Sequence, residues 1–509
     1  MPEERKSSIE LSSLPDETLY EIFRYIKKDL PTLYSCLRVN RLFCKHVIPF
    51  LWMNPMPNIY TSVEIGVYIY FFDQREKYEL EQHHGLKLQE IPCPLFNYEK
   101  HLTVLNLRGI RHAVYYWLKN YHISKNPFFD ECIDFSENST IDFIERALLK
   151  LILKNAKKIK HLILDLSRRY GDIPDVDIFT NEEYPGIRNI SKFSFINDSD
   201  RNLPNVQNLL DVLPTLCTSI EKLRFHELIF LNGDYELKLE NLIKNQRGLI
   251  SFDFTRGYIN GSKFITALRN QSASLKRLVL SRNTFDEFTY RSLERLVKLE
   301  YLEIDAAYPI EFILIPLSKA NLKLKYFKGR FIEEDYGLKE SIIKSSKFTL
   351  KELYLYVYIP IIVNRSPLHE ICPNLTHLSI ELYIHDNISE HHTVFLNYIN
   401  KLKELTHISI KFSCASNNNV LDDLVNLDLP SLKFISYEFD DYFLRSLKSW
   451  VDHFSTRFNK ITFYYCENLE FEQIILLGDY AKKRDYLTII PYEYEDGFKF
   501  VAMNQLDSY

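Results

Sequence analysis

LKRLVLSRNTFDEFTYRSLERLVKLEYLEI, residues 275–304, holds two copies of one pattern and the link between them. The copies LKRLVL (275–280) and LEYLEI (299–304) are hexads with apolar residues at the first, fourth and sixth positions. The alternation at the end of each hexad is the period-two mark of a strand with one buried face. The link carries YRSLERLVK (290–298), whose apolar spacing is helical. A strand followed by a helical return is what a chain needs to lay its next strand parallel to the last.

Working outward, the hexad begins at Leu102, Ile159, Ile190, Ile220, Leu249, Leu275, Leu299, Leu324, Leu350, Leu375, Leu405, Leu432 and Phe458. The spacing is 24 to 31 residues, except for a first gap of 57. A weak copy at Asp130-Ile133-Phe135 would split that gap, and another at Arg484-Leu487-Ile489 would extend the array. Between copies lie further helical stretches such as FITALRNQS (264–272). Single hexads arise by chance in a chain rich in Leu, Ile and Phe; a dozen at near-constant spacing do not. The period is that of leucine-rich repeats. The expected fold is therefore α/β: a solenoid over 101–490 with a curved parallel sheet inside and helices outside. The asparagine that usually follows each strand is mostly missing, Asn283 being a rare match, so other groups must satisfy the backbone at the turns.

In such a strand the residues between the apolar positions line the open face of the sheet. From 275 to 356 they alternate in charge and are interleaved with tyrosines. Tyr and Arg are enriched at protein interfaces. This gives a candidate substrate-binding strip of Arg277, Glu300, Tyr301, Glu303, Lys325, Tyr326, Lys328, Tyr354 and Tyr356.

The first fifty residues have a different texture. Ser13 with Asp16 is a helix-start signature, with Pro15 near the first helical position. Leu19, Ile22, Phe23 and Ile26 recur at helical spacing. Leu33, Cys36, Leu37 and Asn40 suggest a second helix; Leu42, Phe43 and Val47 suggest a third, stopped by Pro49. A unit of about 40 residues rarely supplies its own core, so it is expected to dock.

The opening LPxExLxxIFxYI (14–26) and the closing LYSCLxVNRxFCKxxxPxLWxNP (33–55) resemble the F-box, and look like the large, expanded F-box families of fungi. One departure is Phe43, where the family usually has tryptophan. The resemblance covers about a tenth of the chain. It implies that residues 9–53 bind the Skp-type adaptor of a cullin-based ubiquitin ligase. The contact residues it implies are Leu14, Pro15, Leu19, Ile22, Phe23, Ile26, Leu30, Leu33, Cys36, Val39, Phe43, Leu51 and Trp52. It further implies a substrate receptor, whose repeats hold an unknown target protein while other subunits carry out ubiquitin transfer. The alternative is a ligase-independent interaction scaffold in which these helices only cap the solenoid. Residues 54–100, aromatic and Pro-containing rather than Gly/Ser-rich, are expected to pack as a cap between helices and repeats; residues 491–509 form a C-terminal cap or tail.

Composition narrows the partners. The 509-residue chain has a formal net charge of −5, which favours neither a nucleic-acid binder nor an anionic-membrane binder. No window is long and apolar enough to span a bilayer, and MPEERKSSIE has no apolar signal core. Eight cysteines without CxxC spacing read as thiols in a reducing compartment, cytoplasmic or nuclear. His83-His84 and the group His385, Asp386, His391 and His392 are metal-capable but lack a tetrahedral set. No phosphate-binding loop or nucleophile elbow is present, so no catalytic residue, metal or cofactor is expected.

Overall fold

The computed structural model describes residues 14–55, 65–86, 88, 93–125, 139–166, 171–198, 200–229, 233–257, 259–305, 307–330, 336–358, 368–383, 397–412, 434–439, 460–465 and 487–491. The chain divides into two units, Met1–Ser292 and Leu293–Tyr509. The division falls inside the repeat array rather than at its start.

Unit 1 opens with three helices, α1 (Asp16–Tyr25), α2 (Leu30–Cys36) and α3 (Arg41–Leu51). Pro15 sits at the N-cap of α1, and its carbonyl accepts from the amides of Thr18 and Leu19. Ser13 lies outside the described residues. Asp29 caps α2 by accepting from Thr32 N at 3.1 Å, and Asn40 caps α3 by accepting from Phe43 N at 2.8 Å. Asn40 is thus a helix start rather than part of a second apolar stripe. Pro49 also departs from expectation: it lies inside α3, which runs two residues further, since proline removes one helical bond without ending the turn around it.

Short helices α4 (Ile65–Ile69) and α5 (Gln74–Gln82) follow, then a 3₁₀ turn (Tyr98–His101) and strand β1 (Val104–Asn106). Two long helices, α6 (Leu107–Lys125) and α7 (Ser139–Asn155), separate β1 from β2 (His161–Asp165). β1 pairs directly with β2, Val104 beside His161. Among the described residues no strand intervenes, and the 57-residue gap carries two helices; the weak copy at Asp130 lies outside the described residues. β3 (Lys192–Ile196), β4 (Lys222–His226), β5 (Ser251–Thr255) and β6 (Arg277–Ser281) continue the sheet in chain order, each parallel to the last. Their returns carry α8 (Asp177–Thr180), α9 (Pro204–Leu216), α10 (Gly233–Lys244) and α11 (Ser262–Ala267), with α12 (Tyr290–Leu293) at the division.

Unit 2 repeats the plan with β7 (Tyr301–Asp305), β8 (Tyr326–Arg330), β9 (Glu352–Tyr358), β10 (His377–Tyr383), β11 (His407–Phe412), β12 (Phe434–Phe439), β13 (Lys460–Tyr465) and β14 (Leu487–Pro491). All neighbours pair parallel and in chain order. Helices α13 (Glu311–Lys319), α14 (Tyr336–Ser345) and α15 (Leu368–Ile371) form returns. Each of the thirteen hexads, and the weak copy at Arg484, begins two or three residues before a strand.

The strands sit where they do because one face is apolar. In β2 the pattern is half-exposed at His161, Ile163 and Asp165 and buried at Leu162 and Leu164. Phe193, Phe195, Phe225, Phe252, Phe254 and Phe264 are fully buried in unit 1, as Phe327 is in unit 2. Each such ring stabilises its unit by about 1.5–3 kcal/mol.

Register is fixed by a recurring device at the strand entrances. Two consecutive amides donate to one carbonyl a repeat earlier: Ser191 and Lys192 to Lys160 O, Glu221 and Lys222 to Ser191 O, Lys276 and Arg277 to Ile250 O. Unit 2 uses the same device, with Lys351 and Glu352 donating to Lys325 O and Thr376 and His377 to Lys351 O. Buried polar residues at the helix ends supply the backbone satisfaction that the missing asparagines would give. Gln246 accepts from Ile220 N at 2.9 Å, Gln271 donates to the carbonyls of Ile243 and Gln246, and Ser346 accepts from Leu324 N. Where the asparagine is present it acts as expected: buried Asn283 accepts from Gly257 N at 2.8 Å and donates to Phe254 O at 2.7 Å. Gly257 is required there, because a Cβ would lie 2.3 Å from Asn283 Oδ1.

Candidate functional site

The N-terminal helices build their own core. Leu19, Phe23, Leu33, Phe43, Val47 and Phe50 form one buried cluster, with Leu14, Ile26, Cys36 and Leu51 packed around it. Phe23 and Phe43 meet edge-to-face at 5.3 Å, so Phe43 is an internal anchor. The single apolar stripe expected from the sequence is therefore split. Leu19, Phe23, Leu33 and Phe43 are buried in that cluster. Pro15, Ile22, Leu30 and Val39 are exposed, Val39 to 60 %.

Three tyrosines that the sequence reading passed over are also exposed: Tyr25 (88 %), Tyr34, and Tyr20, whose ring leans on Phe50 of α3 at 5.1 Å. Six of the fifteen large hydrophobics exposed among the described residues fall between Tyr20 and Val39. Helical phase could have found two of them. With Leu19 and Phe23 inward, about 100° per residue places Ile22 and Tyr25 together on the flank of α1. Asp16 ties the other side of α1 to α3, accepting from Lys45 at 3.0 Å and lying 3.1 Å from His46 Nε2. These two bonds hold its carboxyl below the usual range.

Trp52, also expected to face an adaptor, is turned inward. Its ring lies 4.1 Å from that of Tyr98 and 5.5 Å from that of Tyr68. The next residue joins the helices to the sheet: Met53 O accepts from Thr103 N at 2.8 Å and from Val104 N at 3.0 Å. This is the strand-entrance device again, used one step before the first strand. Within 65–101, Tyr68 and Tyr98 pack on Trp52, while Glu76 accepts from Lys150 of α7 at 2.8 Å. In the same segment, Tyr68 Oη and Glu99 Oε2 are buried without a hydrogen-bond partner among the described residues, and burial raises the Glu99 carboxyl.

On unit 2's open sheet face the expected strip is partly assembled. Tyr301 and Tyr326 pair in register and stack at 3.8 Å with planes 6° apart; Tyr354 follows at 5.0 Å. Lys328 reaches Glu303 at 2.6 Å, and Tyr301 donates to Glu303 at 3.1 Å. Burial pushes the Tyr326 and Tyr354 hydroxyls well above their ordinary range, and the Glu352 carboxyl up as well. Glu300 and Lys325 pair at 2.6 Å just ahead of their strands, beside a cleft of about 500 Å³. The Tyr356 side chain lies outside the described residues, and Arg277 belongs to unit 1. Beyond the strip, His377 and His407 stack at 3.9 Å.

Unit 1's open face holds a group that the sequence reading missed. Pairing places His161, Lys192, Lys222, Ser251 and Arg277 in one row across five strands. The row two residues on reads Ile163, Ser194, Arg224, Asp253 and Val279. Asp253 is the one carboxylate in the two rows. It takes Arg277 Nε at 3.2 Å and Arg224 at 3.5 Å. Burial, then Arg224 and Lys222, bring the Lys192 ammonium down to about 8. Burial, then Lys192 and Arg224, bring His161 down to about 3. The signal was present in SKFSFI and EKLRFH, read at the same register as the later hexads.

Of the metal-capable residues, His83 lies 3.9 Å from Glu79 and His84 contacts Thr140 at 3.0 Å. The histidines at 385, 391 and 392 lie outside the described residues. Among the described residues no cluster of three or more His, Cys, Asp or Glu could hold a metal ion, and no helix is long and apolar enough to cross a membrane. No family model matches this chain, and no curated protein sequence matches it.

Proposed function

We propose that this chain is the substrate-recognition subunit of a Skp-cullin-F-box ubiquitin ligase: its first three helices dock on the Skp-type adaptor, and its leucine-rich repeats present a target protein. The observation that carries this reading is the division of labour within residues 14–55. A unit with a complete core of its own still exposes Tyr20, Ile22, Tyr25, Leu30, Tyr34 and Val39. A self-sufficient cap has no need of such a surface, whereas a partner that covers it gains apolar burial of about 25 cal/mol per Å². The docking surface in this reading is the exposed set, with Leu19, Phe23, Leu33 and Phe43 shaping it from within. The chain adds no chemistry to ubiquitin transfer; it supplies proximity.

The packing of Trp52 on Tyr68 and Tyr98 supports the second reading, a ligase-independent scaffold with the helices as a cap. Co-purification with a Skp-type adaptor separates the two. The first predicts one-to-one capture by the full chain, reduced at least tenfold by Ile22→Asp with Val39→Asp, and an unchanged circular dichroism spectrum. Folded wild-type chain that captures no adaptor would remove the ligase reading and leave the scaffold.

A further inference from the structure

Within the reading that the repeats hold a target protein, we infer that unit 1's open sheet face recognises an acidic peptide segment, lying across strands β3 to β6. Neighbouring strands stand about 4.8 Å apart, so side chains in register meet closely. Lys192 and Lys222 are such neighbours, and Arg224 lies diagonally from Lys192. Like charges set side by side on adjacent strands are unfavourable. Arg224 and Arg277 both engage Asp253, the one carboxylate in the two rows. Lys222 makes no ion pair among the described residues. Burial lowers Lys192 and His161 first, and the neighbouring cations add to it: Arg224 and Lys222 on Lys192, Lys192 and Arg224 on His161. A bound anion would convert that repulsion into attraction.

The rows favour a peptide over nucleic acid. They span about 15 Å from β3 to β6 at the spacing above. Asp253 interrupts them, and Glu221 and Glu227 flank β4, whereas a nucleic-acid track is continuous and sits in a basic domain. An extended peptide presents same-face side chains about 7 Å apart, so two or three alternate acidic residues fit within that span. Carboxylates and phosphoserines offer this face the same chemistry.

The test uses the full chain and fluorescence anisotropy with three labelled peptides, carrying alternating Glu, phosphoserine or Gln. Binding of the Glu or phosphoserine peptide at least tenfold tighter than the Gln peptide, weakened by salt, is the expected result. Lys222→Glu, an exposed position that a folded chain tolerates, should reduce it at least tenfold, and Lys192→Gln should act in the same direction. Equal binding of all three peptides, no effect of Lys222→Glu, or tighter binding of duplex DNA than of either acidic peptide would overturn the proposal. Adaptor capture by the same preparations tells the two readings apart. Acidic-peptide binding without capture removes the ligase assignment alone; capture without peptide selectivity removes this inference alone.

Discussion

Lys192 and Lys222 stand side by side in unit 1 at the register position where Tyr301 and Tyr326 stand side by side in unit 2. The backbone plan is the same: parallel strands, two amides onto one carbonyl at each entrance, an apolar inner face. The consequence for the open face is opposite. In unit 2, neighbours attract, since stacked rings remove each other from water and Lys328 finds Glu303. In unit 1, neighbours repel, and the fold tolerates the repulsion. A repeat array thus fixes which side chains meet and leaves the sign of the meeting to the residue type. Unit 2's face is consolidated internally, while unit 1's face is primed for something outside it.

Substitutions at three positions sharpen or break that contrast. The largest effect is expected from Tyr326→Ala, which removes a ring stacked on Tyr301 and leaning on Tyr354; the loss should be about 2–4 kcal/mol in denaturant unfolding. Tyr326→Leu, which keeps apolar bulk and loses the stacking, should cost about 1 kcal/mol. Equal costs for the two would mean that stacking adds nothing and the faces differ less than their geometry suggests.

Lys192→Met should act in the opposite direction and raise the melting temperature at neutral pH. The sign follows from the ammonium, which titrates near 8 when folded and near its ordinary value when unfolded. Between those values the unfolded chain holds more protons, so wild-type stability climbs as pH rises through that window. The groups facing Lys192 are His161, Lys222, Arg224 and Asp253. Melting curves from pH 7 to 10.5 should show the rise in the wild type and its loss in Lys192→Met; parallel curves would refute the strained-cation picture.

The smallest effect belongs to Lys325→Ala. Its pairing with Glu300 lies at the solvent edge, with the lysine side chain 62 % exposed, and such pairs contribute within about 0.5 kcal/mol. A larger loss in urea unfolding would show that unit 2's charged edge takes part in its consolidation.

How much of this could be read from the sequence differs by level. The strands could, because LxxLxL encodes burial directly; even the weak copy at Arg484-Leu487-Ile489 marks β14. The turn chemistry could not. Gln246, Gln271 and Ser346 look like loop polar residues until folding brings their side chains onto a neighbouring repeat's backbone. On the N-terminal helices the pattern identified apolar residues but not their direction, because an amphipathic stripe and a docking stripe share one period. Leu19 and Ile22 therefore looked alike, and packing separated them. The cationic rows escaped for a third reason: their members are about 30 residues apart in the chain and become neighbours only through register.

The carbonyl of Met53, which receives Thr103 and Val104, makes the N-terminal helices a zeroth rung of the ladder that follows. A joint built from the ladder's own standard fitting separates reach from grip. Repeats could be gained or lost downstream during evolution, changing the length of the array. The seating of those helices on the first strand would stay untouched.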